Sequence, residues 1–337
     1  IIVIMGGVAL AKIFVDRGVK TFSVDSLYYI FISITLNGII MILQFIYPEF
    51  KDWIYSFTIS KEFRSTFDYN FRMGGLTRSS GGAVLSVVQS LGVLIAPFIW
   101  GKINNYRKII LICGSLLICS SVLICGRSGL WVIVLGFPIS ISLANELANF
   151  TNIIKKYVTI SLFFTLFIFM LNYYTSMNSD SSIYLSLGRT LDYFVDSNQD
   201  GSFANSTIET LKNHILFPAD IKTFLMGDGE HLLGKQFDME LTSDIGYVKN
   251  LWSFGFFGLM IYVIPLVALY RFVLKYISTI SISKPLLFFI FIMFVFHTKE
   301  SFLYVRMYLS IISLLLGAFY IEKMRIVQKH NISYSPK

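Results

Sequence analysis

Apolar runs of roughly 15–20 residues follow one another along the chain, divided by short polar breaks. Runs of that length predict helices that cross a hydrocarbon layer about 30 Å thick. Nine are expected, at about 1–15, 27–47, 83–100, 109–125, 129–147, 157–175, 251–270, 285–297 and 302–320. The runs are continuous and do not alternate apolar with polar residues, which excludes a transmembrane barrel. The first run is short for a full span, and neither an initiator Met nor a basic leader precedes it, so the sequence is read as starting inside a helix. One break differs from the others. Residues 176–250 form a long polar insertion whose apolar stretches, Ser182–Val195, Ser206–Phe217 and Ile221–Met226, predict short helices folded over the spans.

Composition agrees with this pattern. The chain has 337 residues, of which 55% are hydrophobic and 14% charged, where a soluble domain carries about 25% charged residues. The fold class expected is all-α: a polytopic helical bundle in a single membrane domain, with the insertion as a subdomain. Cys113, Cys119 and Cys125 lie six residues apart on one predicted span, a spacing that turns them in different directions and fits packing better than a metal site or a disulfide framework.

The net charge of +8 is mostly a signal of topology. Alternate short loops hold Lys12, Arg17 and Lys20, then Lys102, Arg107 and Lys108, then Lys155 and Lys156, then Arg271, Lys275 and Lys284, then Lys323, Arg325, Lys329 and Lys337. Such loops mark the cytoplasmic side. The insertion faces the other way and is acidic overall, so its arginine, Arg189, stands out. Nothing in this distribution calls for nucleic acid.

Several residues carry candidate chemistry. Arg127 sits in a Gly-Arg-Ser turn at the outer end of a helical hairpin, where it either belongs to a site or snorkels to lipid headgroups. Arg306 lies inside the last predicted span, between Val305 and Met307, at a depth where a charge faces protein or a water-filled cavity. Lys299 lies two turns earlier, and Glu300 beside it can pair with a cation, so a polyanion site and an internal ionic network are both open. Arg72 and Arg78 flank a glycine-rich stretch, Met-Gly-Gly-Leu-Thr. That arrangement offers a phosphate backbone N–H groups and guanidinium forks, or is a plain loop with interfacial arginines. Asp228, Glu230 and His231 cluster in a glycine-rich turn, and Asp244 precedes the next span. A carboxylate or imidazole there can take a proton from a hydroxyl, while turn formation and helix capping are the plainer roles for the two aspartates. His214, His297 and His330 show no partner in the sequence, and no group has metal-ligand spacing. No internal repeat is visible, which weighs against an inverted-repeat transporter.

These pieces occur in a particular order. The Gly-Arg-Ser-Gly turn comes first, then Arg189 early in the insertion, then Leu-Met-Gly-Asp-Gly at 225–229. Ser-Asp-Ile-Gly-Tyr-Val at 243–248 then leads into Phe-Gly-Phe-Phe-Gly-Leu, and a Lys-Glu-Ser turn precedes the last span. In that order and topology the chain, over about 70–320, resembles the Wzy-type O-antigen and exopolysaccharide polymerases. The related O-antigen ligases share the architecture but resemble His-Asn where this chain has Ser243-Asp244. The resemblance implies a fold similar to GT-C glycosyltransferases, in a bacterial inner membrane with the site facing the periplasm. It implies a reaction that joins oligosaccharide repeat units carried on undecaprenyl pyrophosphate. By the same analogy Arg127 and Arg189 are catalytic, with Asp244 or His231 as candidate base. Arg72 and Arg306 correspond to further basic positions of the family, and with Arg78, Lys299 and Asp228 they are the candidates for holding substrate. A chain-length regulator, a flippase and membrane lipid are the implied partners, with no cofactor. The alternatives are a ligase and a flippase or other transporter of lipid-linked oligosaccharide.

Arginines can neutralise a departing pyrophosphate by preorganised, charge-assisted hydrogen bonds. Polymerisation by purified protein is therefore expected to persist in excess EDTA. Its abolition by EDTA, with recovery on adding magnesium or manganese, would contradict that expectation.

Overall fold

A computed structural model of the chain describes residues 22–58, 73–77, 82–126, 128–144, 217–229, 246–298 and 306–333. Every regular element among the described residues is helical: α1 (Phe22–Ile46), α2 (Pro48–Thr58), α3 (Ala83–Ile99), α4 (Asn105–Cys125), α5 (Ser128–Ala144), α6 (Ile221–Met226), α7 (Gly246–Leu274), α8 (Ser283–His297) and α9 (Arg306–Ser333), with a short 3₁₀ turn at Trp100–Lys102. Four helical stretches are long and apolar enough to cross a membrane: Ser23–Ile46, Ala83–Lys102, Asn105–Cys125 and Gly246–Leu274. Ser128–Ala144 and Ser283–His297 are shorter apolar helices. The chain is thus an all-helical membrane protein. The spans expected at 1–15 and 157–175 lie outside the described residues, as does most of the insertion. Of the three short helices expected in the insertion, Ile221–Met226 is observed with those bounds.

The described residues fall into two compact units, one over 27–144 and the other over 22–26 and 217–333. In the first unit α1, α3 and α4 cross closely because small residues stand at the crossings. A Cβ on Gly92 would lie 2.5 Å from Ile118 Cδ1, and one on Gly114 would lie 2.6 Å from the ring of Phe31. Phe31, Leu91, Leu94, Ile95 and Ile118 are fully buried there. Between apolar helices surrounded by lipid, close packing and interhelical hydrogen bonds replace the hydrophobic effect as the cohesive force.

A polar seam runs through this packing. Asn37 Nδ2 donates to Gln89 Oε1 at 3.2 Å, and Gln89 Nε2 donates both to the Ile34 carbonyl at 2.8 Å and to Ser121 Oγ at 3.0 Å. Gly38 leaves room for the Gln89 amide, which would lie 2.8 Å from a Cβ. The six-residue spacing of the cysteines has the effect the sequence suggests: Cys113 is exposed, Cys119 partly so, and Cys125 buried.

At the end of the α4–α5 hairpin, glycine is required by contact. A Cβ on Gly129 would lie 2.3 Å from the Ser86 carbonyl oxygen, and one on Gly126 would lie 2.9 Å from that of Gly82. The approach is held by hydrogen bonds from Gly129 N–H to Ser86 Oγ (3.0 Å) and from Gly82 N–H to the Cys125 carbonyl (3.1 Å). The start of α5 is thereby clamped to the start of α3, fixing the chain on both sides of Arg127.

In the second unit α6 lies on α7, with Phe224 and Phe256 stacked at 6.2 Å. Tyr247 of α7 donates to the Phe294 carbonyl of α8 at 3.1 Å. Tyr308 of α9 donates to the Phe289 carbonyl, where both rings are fully buried. Glu322 of α9 accepts from Ser281 Oγ at 2.9 Å, beside the first turn of α8. Lys323 lies over the rings of Phe272 and Tyr276 at 4.6 and 4.9 Å. The exposed residues of α7 are largely apolar, Phe257, Ile261 and Ile264 among them, as a lipid-facing helix requires.

Replacing Gly129 by Ala forces a methyl group into the Ser86 carbonyl. By analogy with overpacked cores this is expected to cost about 1–3 kcal/mol, read as a lower melting temperature in detergent. An unchanged melting temperature would mean that the clamp is not structural.

Candidate functional site

The insertion ends by folding onto the span that follows it, and the contact depends on two glycines. Gly255 interrupts α7 with φ 67° and ψ −177°, a conformation that favours glycine, so the helix breaks there. A break frees backbone carbonyls that the next turn would otherwise have satisfied. Two of them are taken up from outside the helix: Asp228 N–H donates to the Trp252 carbonyl at 2.8 Å and Gly229 N–H to the Ser253 carbonyl at 3.0 Å. The turn that supplies these donors has Gly227 at φ 77°. A Cβ on Gly227 would lie 2.5 Å from the Ser253 carbonyl, and one on Gly255 would lie 2.3 Å from that of Leu225. The two backbones therefore meet glycine to glycine.

Upstream, α6 delivers the turn. Asp220 caps it by accepting from Thr223 N–H at 2.9 Å. The hydrogen bonds from Thr223, the backbone one first, hold this exposed carboxyl below its ordinary value. Because the folded value is the lower one, the cap is fully in place at neutral pH and is lost only as pH falls through that lowered value. Asp228 itself is exposed at the surface of the turn.

Beside this contact α7 carries a buried polar cluster. Asn250 and His297 are both fully buried, with Asn250 Nδ2 2.8 Å from His297 Nε2. If the amide donates, the imidazole hydrogen is on Nδ1. The Tyr247 ring meets the imidazole edge to face at 4.4 Å. Ser253, one turn after Asn250, is 2% exposed. Asn250 Oδ1 and Ser253 Oγ are buried and, among the described residues, have no hydrogen-bond partner. A buried polar atom left without a partner costs a fold about 1–3 kcal/mol.

In the first unit, the stretch between Arg72 and Arg78 is a strap bolted to the helices. Gly74 N–H donates to Tyr55 Oη at 2.8 Å, Gly75 N–H to Gln44 Oε1 at 2.9 Å, and Leu76 N–H to Asn37 Oδ1 at 2.9 Å. Gln44 Nε2 returns a bond to the Gly75 carbonyl at 3.2 Å. The N–H groups that the sequence offers to a phosphate are thus already engaged by neutral side chains. At 3.4 Å, Met73 N–H also meets the Ile124 carbonyl, three residues before Arg127.

Of the residues proposed from sequence, Asp228 is described and lies on the turn at the helix break. Arg72, Arg78, Arg127, Arg189, His231, Asp244 and Lys299 lie outside the described residues, as does the side chain of Arg306. Among the described residues no three His, Cys, Asp or Glu side chains gather as a metal site needs. Asn250 and Ser253 are not singled out by the sequence, and His297, which shows no partner there, has one in Asn250. The periodicity signal for Asn250 and Ser253 was present, since positions 247, 250 and 253–254 share a helix face. The pairing with His297, which is 47 residues away, has no local signature. No protein-family model, curated protein or solved structure matches the chain.

Substituting Ala at Gly255 or Gly227 imposes both a strained conformation and a backbone clash. The Asp228 and Gly229 amides, protected by the pairing, are then expected to exchange hydrogen at least tenfold faster, at about 1.4 kcal/mol per tenfold. Unchanged exchange in both variants would show that the turn holds its place without the glycines.

Proposed function

We propose that the chain is a polysaccharide polymerase of the Wzy type, joining oligosaccharide units carried on undecaprenyl pyrophosphate at the outer face of a bacterial inner membrane. The observation that supports this reading is the docking of Leu-Met-Gly-Asp-Gly on the break at Gly255. The two segments that carry much of the resemblance, far apart in character, meet at one place, hydrogen-bonded backbone to backbone. A polar insertion secured to an apolar helix in this way suits an enzyme that handles sugars at a membrane surface and a lipid tail within it. The clamp on both sides of Arg127 also suits a group that must meet a pyrophosphate in fixed geometry.

In the proposed reaction an acceptor sugar hydroxyl attacks the anomeric carbon of the donor. The bond from that carbon to the phosphate oxygen breaks, and undecaprenyl pyrophosphate leaves with its charge met by Arg127 and Arg189. The hydroxyl proton passes to a nearby base, for which Asp244 and His231 are the candidates. Partners in the cell are a flippase that delivers the units and a regulator of chain length.

Purified protein supplied with lipid-linked repeat units is expected to give a ladder of lengthened chains. Transfer to a lipid A-core acceptor would instead indicate a ligase, and no product at all would leave a transporter. At matched expression, Arg127→Ala and Arg189→Ala are each expected to slow extension about 100- to 1,000-fold, or roughly 2.7–4 kcal/mol, as loss of an oxyanion-hole donor does. Arg→Lys should recover only part, because an ammonium lacks the planar fork. Asp192→Asn and Asp238→Asn should be nearly silent. Full activity in both Ala variants would overturn the mechanism.

A further inference from the structure

The cluster on α7 holds two buried polar atoms that, among the described residues, have no hydrogen-bond partner. Asn250 Oδ1 and Ser253 Oγ are buried one helical turn apart on the same face. The rest of the Asn250 amide is engaged, since His297 holds its nitrogen at 2.8 Å and Tyr247 closes on the imidazole. With its nitrogen on His297 the amide is fixed in direction, and its oxygen is left buried without a hydrogen-bond partner among the described residues. Buried polar groups without partners are rare in folded proteins, and when they persist they mark water or a ligand. The backbone carbonyl of Ser253 also accepts from Gly229 N–H, in the turn that carries the exposed Asp228.

We infer that Asn250 Oδ1 and Ser253 Oγ form a binding site for a hydroxyl group, and that the hydroxyl belongs to a sugar of the lipid-linked substrate. An acceptor oxygen and a hydroxyl one turn apart can together receive and give a hydrogen bond, which is the pairing one sugar hydroxyl makes. His297 is the positioning residue, because it sets the amide's direction without itself needing to touch the sugar. The assignment to a sugar rests on the polymerase reading. The hydroxyl site itself does not, since a resident water would use the same two atoms.

Ser253→Ala separates these cases, because it deletes one oxygen and leaves the helix, its packing and the Asn250–His297 pair in place. The probe is the undecaprenyl-linked repeat unit extracted from the host strain lacking this chain. Its binding to full-length purified protein is measured alongside the melting temperature without ligand. The expected result is a Ser253→Ala protein that melts at the same or a higher temperature than wild type and binds the probe about tenfold more weakly. Asn250→Ala should bind at least as weakly, though at a lower melting temperature because it leaves His297 without the amide.

Unchanged binding in Ser253→Ala would overturn the inference and leave the polymerase reading standing. A melting temperature lowered by several degrees would also overturn it, because the hydroxyl would then be a structural group bridged by water. Failure of wild-type protein to bind the probe would sink the polymerase reading, and the sugar assignment with it.

Discussion

A backbone amide in an apolar surrounding must find a partner within the protein, because lipid offers none. The architecture of this chain follows from how that demand is met where helices stop or break. At Gly255 the break in α7 leaves carbonyls on Trp252 and Ser253, and the insertion supplies the N–H groups of Asp228 and Gly229. The tail of the polar insertion is therefore part of the helix's own hydrogen bonding rather than a loop resting above it. In the other unit the strap at 73–77 meets the same demand from the opposite direction. Its N–H groups reach inward to Tyr55, Gln44 and Asn37.

Much of the helical framework is legible in the sequence, because a membrane span is written as length and composition, and both survive any tertiary arrangement. The bounds of α6 are legible too, since Asp220 and Gly227 punctuate a short apolar run. The break at Gly255 is not. Phe-Gly-Phe-Phe-Gly-Leu contains two glycines three apart, and nothing local says that Gly255 takes a positive φ while Gly258 stays within the helix. That choice is made by Leu225 and Met226 pressing on Gly255 from elsewhere in the chain. The strap teaches a similar lesson. Glycines beside arginines describe an anion cradle only if the N–H groups stay open, and side chains 31 to 39 residues upstream decide that they do not at Gly75 and Leu76. His297 was opaque for the same reason, as its partner is distant in sequence.

The two buried polar systems differ in completeness, and the difference carries meaning. Both ends of the Asn37 and Gln89 amides are engaged, so that seam holds three helices and asks nothing of a ligand. The cluster around Asn250 has the same kind of residues, buried as deeply as Gln89, yet it stops short of closing. The two atoms left over, Asn250 Oδ1 and Ser253 Oγ, are what set this cluster apart from the closed seam.

The strap's anchors are two carboxamides and a phenol, none of them ionic. Added salt screens interactions between charges over a few ångströms to tens of ångströms, but it has little purchase on a hydrogen bond between neutral groups. The scaffold around the strap is thus deaf to ionic strength, although arginines flank the segment in sequence. Salt leaves these neutral anchors in place, whereas the contacts that Glu322 and Lys323 make on α9 carry charge and feel it.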